Sequence, residues 1–158
     1  MKTRIAFALS VLFVILAGSC TSESIEDTNN PEAVNIVSLE QELLGIVNSH
    51  RKSLGYSDLV VSIVAYEYAN SHNDYMITNG SLSHDNFSAR ASGISSKVNA
   101  EMVAENVAKD YSSAKLAFES WLSSPDHRKT MEDDFTHTGI SVKKDSNGRL
   151  YYTQLFYR

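Results

Sequence analysis

Four short stretches carry the side chains of this chain that could bind a metal, move a proton or orient a polar guest. They are Ser83-His84-Asp85-Asn86, Val103-Ala104-Glu105-Asn106-Val107, Ser124-Pro125-Asp126-His127-Arg128 and Phe135-Thr136-His137-Thr138-Gly139. Imidazole nitrogens are good ligands for zinc and similar ions and titrate near neutrality. A carboxylate such as that of Glu105 can act as general base on a bound water. His84 and His127 stand 43 positions apart. Only a fold can bring them together, so their spacing is no metal signature of the kind that two histidines on one helix provide. Ser83 and Ser124 lack the surroundings of an activated nucleophile, having neither a Gly-x-Ser-x-Gly elbow nor an acid-histidine-serine order.

These stretches need elements to hold them. Ile36, Leu39, Leu43, Ile46 and Val47 recur at helical spacing, which predicts a helix over about 37–54 that stops near Gly55. Ser62 can cap a second helix, ended by Asn79-Gly80. Its stripe of Ala65, Tyr68, Ala69, His72 and Met76 puts His72 on a packing face, as a structural residue. A third helix is expected over about 113–122. Ser124 then reads as an N-cap with Pro125 at the first helical position, which places His127 in a first turn where the helix dipole disfavours a second positive charge. Read as a strand, 103–107 sets Glu105 between Val103 and Val107 on one face, a costly place for a carboxylate without a partner. Asn147-Gly148 between Ile140-Ser141-Val142 and the aromatic run 149–157 predicts a hairpin. The last strand is apolar or aromatic on both faces, so helices must cover the sheet above and below. The predicted class is α+β, a three-layer α-β-α sandwich around a small antiparallel sheet. His50 and His137 are read as structural or surface residues, and Arg51 and Arg128 as partners of nearby acids.

The chain has 158 residues, 42% hydrophobic and 21% charged, which suits one folded domain and excludes a disordered chain. One cysteine excludes an intramolecular disulfide framework, and a net charge of −5 gives no reason to expect nucleic acid as partner. Lys2 and Arg4 precede a thirteen-residue apolar run, Ile5 to Ala17, shorter than the roughly 20 residues of a membrane span. This is the pattern of an export signal over 1–19. The small residues Ala17-Gly18-Ser19 before Cys20 resemble a bacterial lipobox. That resemblance implies cleavage after Ser19 and acylation of Cys20, hence a membrane-anchored lipoprotein of the bacterial cell envelope. Residues 20–35 hold Glu23, Glu26, Asp27 and Glu32 and no base, and read as the acylated cysteine followed by an acidic tether. The folded domain is expected over 36–158.

The motifs resemble, in order, those of the CAP superfamily, which embraces cysteine-rich secretory, antigen 5 and pathogenesis-related proteins, and in particular its short bacterial SCP-like branch. They are Val47-Asn48-Ser49-His50-Arg51, Ser83-His84-Asp85, Glu105-Asn106, Trp121 with Ser124-Pro125-Asp126-His127-Arg128, Phe135-Thr136-His137-Thr138-Gly139 and Tyr151 to Phe156. The resemblance implies an α-β-α sandwich with a cleft of two histidines and two glutamates. His84, Glu105 and His127 match three of the four, and Ser124 stands where the second glutamate would be. It also places Asn106 at the cleft, and makes His84 and His127 the ligands of any zinc or other divalent ion, completed by water. Two readings of function stand open. One is a module that binds a small ligand, a lipid or a protein partner. The other is a metal-assisted hydrolase of peptidase type with Glu105 as general base. A plainer alternative is that the three residues merely brace the sheet against the helices.

Overall fold

The computed structural model describes residues 33–158. The expected signal over 1–19, Cys20 and the tether as far as Glu32 lie outside the described residues. No helix among those described is long and apolar enough to cross a membrane.

Four of the five helices follow the expected signals. Helix α1 (Val37–Ser53) buries Leu43 and Val47 and ends on the basic turn His50-Arg51-Lys52, cations at the carbonyl end that favours them. The chain then reverses through Gly55 at φ +87°. Helix α2 (Ile63–Asn79) begins where Ser62 Oγ accepts the Ala65 N–H and ends on Gly80 in the left-handed conformation. Helix α4 (Ala114–Ser123) is capped by Ser113, and α5 (Pro125–Glu132) has its proline in the first turn. Ser124 occupies the N-cap of α5, yet its side chain makes no capping hydrogen bond. Helix α3 (Phe87–Val98) is a departure from the sequence reading, which assigned nothing there.

Strands β3 (Val103–Lys109), β4 (His137–Lys144) and β5 (Leu150–Tyr157) form the antiparallel centre of a five-stranded sheet. The β4–β5 hairpin closes through Asp145, whose Oδ1 accepts the N–H groups of Asn147 and Arg149. Two further strands of two residues each share the outer edge of β4. Strand β1 (Val34–Asn35) pairs with it antiparallel and β2 (Val60–Val61) pairs with it in parallel. The expected boundary between tether and domain at residue 36 is corrected. Val34 and Asn35 belong to the sheet, and the Asn35 amide donates to Glu40, Tyr66 and Asn70. A strand of two residues is held by backbone pairing and leaves no hydrophobic alternation in the sequence to announce it.

The three layers are present. Helices α1, α4 and α5 cover one face, where Tyr152, Phe156 and Ala108 meet Leu43, Val47, Trp121 and Met131. Helices α2 and α3 cover the other, where Leu155 and Tyr157 meet Ala65, Ala69 and Ile94. Two contacts lock these layers. A β-carbon on Gly139 would overlap the Tyr66 amide nitrogen and the Ala65 carbonyl carbon and lie 2.7 Å from Tyr66 Cα, so β4 and α2 touch backbone to backbone. Arg51 corrects the expectation that it pairs with an acid. Only 2% exposed, it donates to the carbonyls of Ser57, Met131, Asp133 and Phe135, tying α1 to the loop that follows it, to the last turn of α5 and to the segment after α5.

Candidate functional site

Sheet order is β1-β4-β5-β3, so β3 is an edge strand. Successive residues of a strand face opposite layers. Glu105 therefore turns towards α2 and α3, and Asn106 turns towards α5. His84 arrives on the turn between α2 and α3. His127 arrives in the first turn of α5, on the other layer. The two imidazoles meet around the free edge of β3, with ring centroids 6.4 Å apart and planes inclined by 28°. A cleft of about 250 Å³ opens beside His84, lined by His84, Phe87, Val103, Ala104, Glu105 and Thr130; His127 faces the His84 ring but is not among the lining residues.

Glu105 is the centre of the arrangement. Its side chain is 1% exposed and both oxygens are occupied. Arg90 donates through Nε to Oε2 and through an Nη to Oε1, each at 2.8 Å. His84 Nδ1 lies 2.9 Å from Oε1. Because a carboxylate only accepts, His84 carries its proton on Nδ1, and in the neutral ring the Nε2 lone pair is left for a guest. The His84 side chain is 53% exposed, so that lone pair is reachable. His72 packs behind, 3.9 Å from Oε1, and its Nε2 lies 2.8 Å from the Ser83 carbonyl, holding the turn that carries His84. The structural role expected of His72 is the one it has.

Arg90 is the residue that sequence reading missed. A carboxylate between two valines signals that a partner must exist, but nothing in the sequence says which cation supplies it. Asn106 is corrected as a cleft residue. It is 0% exposed and donates to the His127 carbonyl, so it positions α5 and cannot touch a guest. Ser124 stands at the junction of α4 and α5, outside the residues that line the cleft. His50 pairs with Glu132 and His137 stacks on Tyr157, both away from this cleft.

Burial lowers the pKa of His72 below its ordinary 6.5, only partly offset by Glu105 and the Ser83 carbonyl. Burial also lowers His127, with the neighbouring His84 adding to it, so the neutrality expected from the helix dipole has another cause. Burial alone would raise Glu105, but the hydrogen bonds from His84 and Arg90 outweigh it and hold the carboxyl below 4.5. The unfolded chain therefore takes up protons that the folded chain refuses. The contribution of these three groups to stability is complete above about pH 7, declines as pH falls below 6.5 through the two histidines, and declines further below 4.5 through Glu105. Urea midpoints from pH 8 to 4 should trace these two steps. A midpoint constant between pH 7.5 and 5.5 would contradict the assignment of the histidines.

The donor set decides what the cleft can hold. No third His, Cys, Asp or Glu joins His84 and His127 among the described residues. Both Glu105 oxygens are already engaged, and the Arg90 guanidinium adds a positive charge beside them. The Nδ1 of His127 is buried without a partner. Zinc resident in a structural or catalytic site takes three or four protein ligands. The residues here do not fit such a centre, and two imidazoles would give only a weak, exchangeable site.

The sequence model of the cysteine-rich secretory protein (CAP) family matches residues 44–156. The chain belongs to the CAP family. Its CAP domain is 31% identical over 123 residues to the "Uncharacterized membrane protein YlbC" of Bacillus subtilis, a match that covers 74% of the chain and 34% of YlbC. It thus spans about a third of that relative's length. Among solved structures, the extracellular protein containing a SCP domain from Bacillus anthracis is similar at a TM-score of 0.68 and 27% identity, over 77% of this chain and 41% of that one. An outer surface protein of Borrelia burgdorferi shares the fold at a TM-score of 0.73 and 17% identity, over 81% of this chain and 98% of its own.

Proposed function

We propose that this chain is an exported, membrane-anchored CAP lipoprotein of a bacterial envelope, held by acylated Cys20, whose domain binds a small ligand or a protein partner at the cleft lined by His84 and Glu105, beside His127, without transforming it. One observation carries this reading. Glu105 has both oxygens committed, to Arg90 and to His84, so the carboxylate orients an imidazole and is poorly placed to accept a proton from water. The hydrolase reading needs that carboxylate free. A mixed peptide library tests it with wild type and Glu105→Gln at a temperature where circular dichroism shows both folded. Indistinguishable turnover is the expected result, and a loss confined to the variant would overturn the binding-only reading.

A second reading is that a divalent ion exchanges at the cleft. The accessible Nε2 of His84 and the unpartnered Nδ1 of His127 favour it. Calorimetric titration with zinc should then show weak uptake by wild type that the His84→Ala, His127→Ala double variant lacks. Equal uptake by both proteins removes the ion.

A further inference from the structure

At the opposite edge of the sheet from the histidine cleft, α1, α2 and the outer side of β4 enclose a second groove of about 350 Å³. Its walls are Val37, Leu44, Val61, Ile63 and Ile140. Val37, Val61 and Ile63 are 52%, 56% and 69% exposed, which is unusual for three large aliphatic side chains gathered around one hollow. The volume and the lining suit a small-molecule site, which is typically apolar with a few converging polar groups.

The polar groups here are of one kind. Glu40 lines the groove while only 8% exposed. Its Oε1 accepts the Val142 N–H at 3.0 Å and the Asn35 amide at 3.1 Å. Its Oε2 takes no hydrogen bond, and the carboxylate no cation, from the described residues. Tyr66 sits beside it, its hydroxyl oxygen accepting from the same Asn35 amide at 3.1 Å. Burial and the charge of Glu40 push the Tyr66 phenol upwards, so it stays protonated and Glu40 supplies the charge. Gln41 stands at the margin.

We propose that this groove binds the alkyl chain of an amphiphile headed by a primary ammonium group, with the ammonium against Glu40. An ammonium presents three N–H donors and no acceptor, which matches the Glu40 carboxylate and the Tyr66 hydroxyl oxygen, with water free to take the third donor at the open margin. A fatty acid of the same length would bring a second negative charge to a buried carboxylate. An alcohol would fit the walls and leave the charge of Glu40 unmatched. The site is independent of the histidine cleft, and neither reading requires the other.

The test uses the full chain in nanodiscs of zwitterionic lipid. Octadecylamine, octadecanol and octadecanoic acid, each with a diazirine on the chain, are the probes, and photolabelled peptides are mapped by mass spectrometry. The amine should label peptides around Val37–Leu44 or Val61–Tyr66, with the alcohol and the acid lower by about tenfold. Glu40→Gln should bring the amine down to the level of the alcohol. Ile63→Asp, at an exposed position in the first turn of α2 where an acid is tolerated, should reduce labelling by all three probes while leaving the fold intact. Equal labelling by amine and alcohol overturns the proposal, as does amine labelling that survives Glu40→Gln. Absence of label from the groove also overturns it, and is the result expected if chain preceding Ala33, a second copy or another protein fills the space.

Discussion

Replacing Gly139 by alanine will unfold the domain or lower its melting temperature by about 10 °C or more. The added methyl group meets main-chain atoms of Ala65 and Tyr66, not the end of a side chain that could swing aside. Relief requires α2 to move bodily away from β4. Ala65, Ala69 and Met76 of that helix are all 0% exposed, so any retreat opens a void along its whole contact with the sheet. Overpacking of this kind costs about 3 kcal/mol or more, and each kcal/mol is worth about 4 °C in a domain of this size. Gly93 supplies the control. The atoms nearest to a methyl group there belong to the phenol end of Tyr68, a side chain that can shift where backbone cannot, and alanine is the better helix former. Gly93→Ala should stay within about 1 kcal/mol of wild type. Scanning calorimetry separates the two, and a Gly139→Ala protein that melts with wild type would show the backbone contact to be wrong. Because α2 also carries His72, a shifted but folded variant should lose the ordering of the His84 turn.

Glu105→Ala is expected to cost about 3–5 kcal/mol, because it strands the Arg90 guanidinium in a place that is 8% exposed. The deficit belongs to the broken pair and not to the glutamate alone. The double change Glu105→Leu, Arg90→Met should therefore recover more than half of it, since an apolar pair of similar volume often replaces a buried ion pair without loss. Urea denaturation of the single and double variants measures the difference. If the double variant is as unstable as the single one, the network around His84 and His72 outweighs the ion pair.

Much of the fold was legible because its signals are local. Ser62, Ser113 and Pro125 mark helix starts, Gly55 and Gly80 mark ends, and Asn147-Gly148 marks a hairpin. Helix α3 escaped notice because it lacks such punctuation. It starts at Asn86 in the left-handed conformation with no side-chain cap, contains Gly93 and ends on Asn99, also left-handed. Its buried stripe was still readable in principle, since Arg90 and Ile94 lie four apart and Phe87 and Val98 continue the face. The site was legible in its members and not in its wiring. His84, Glu105 and His127 stood out by type and order. That β3 is an edge strand around which two layers can meet, and that Arg90 holds the carboxylate, depend on strand order and on α3, neither of which is a local property.

The Arg51 clasp has a consequence beyond packing. Four backbone carbonyls from 57, 131, 133 and 135 converge on one guanidinium that is closed to solvent. This ties distant parts of the domain together through a group that no reductant can cleave, and residues 33–158 contain no cysteine at all. The domain is therefore indifferent to the thiol chemistry around it: dithiothreitol or hydrogen peroxide should leave its cross-ties as they were. A surface exposed to swings between aerobic and anaerobic surroundings can carry it without an oxidative folding apparatus.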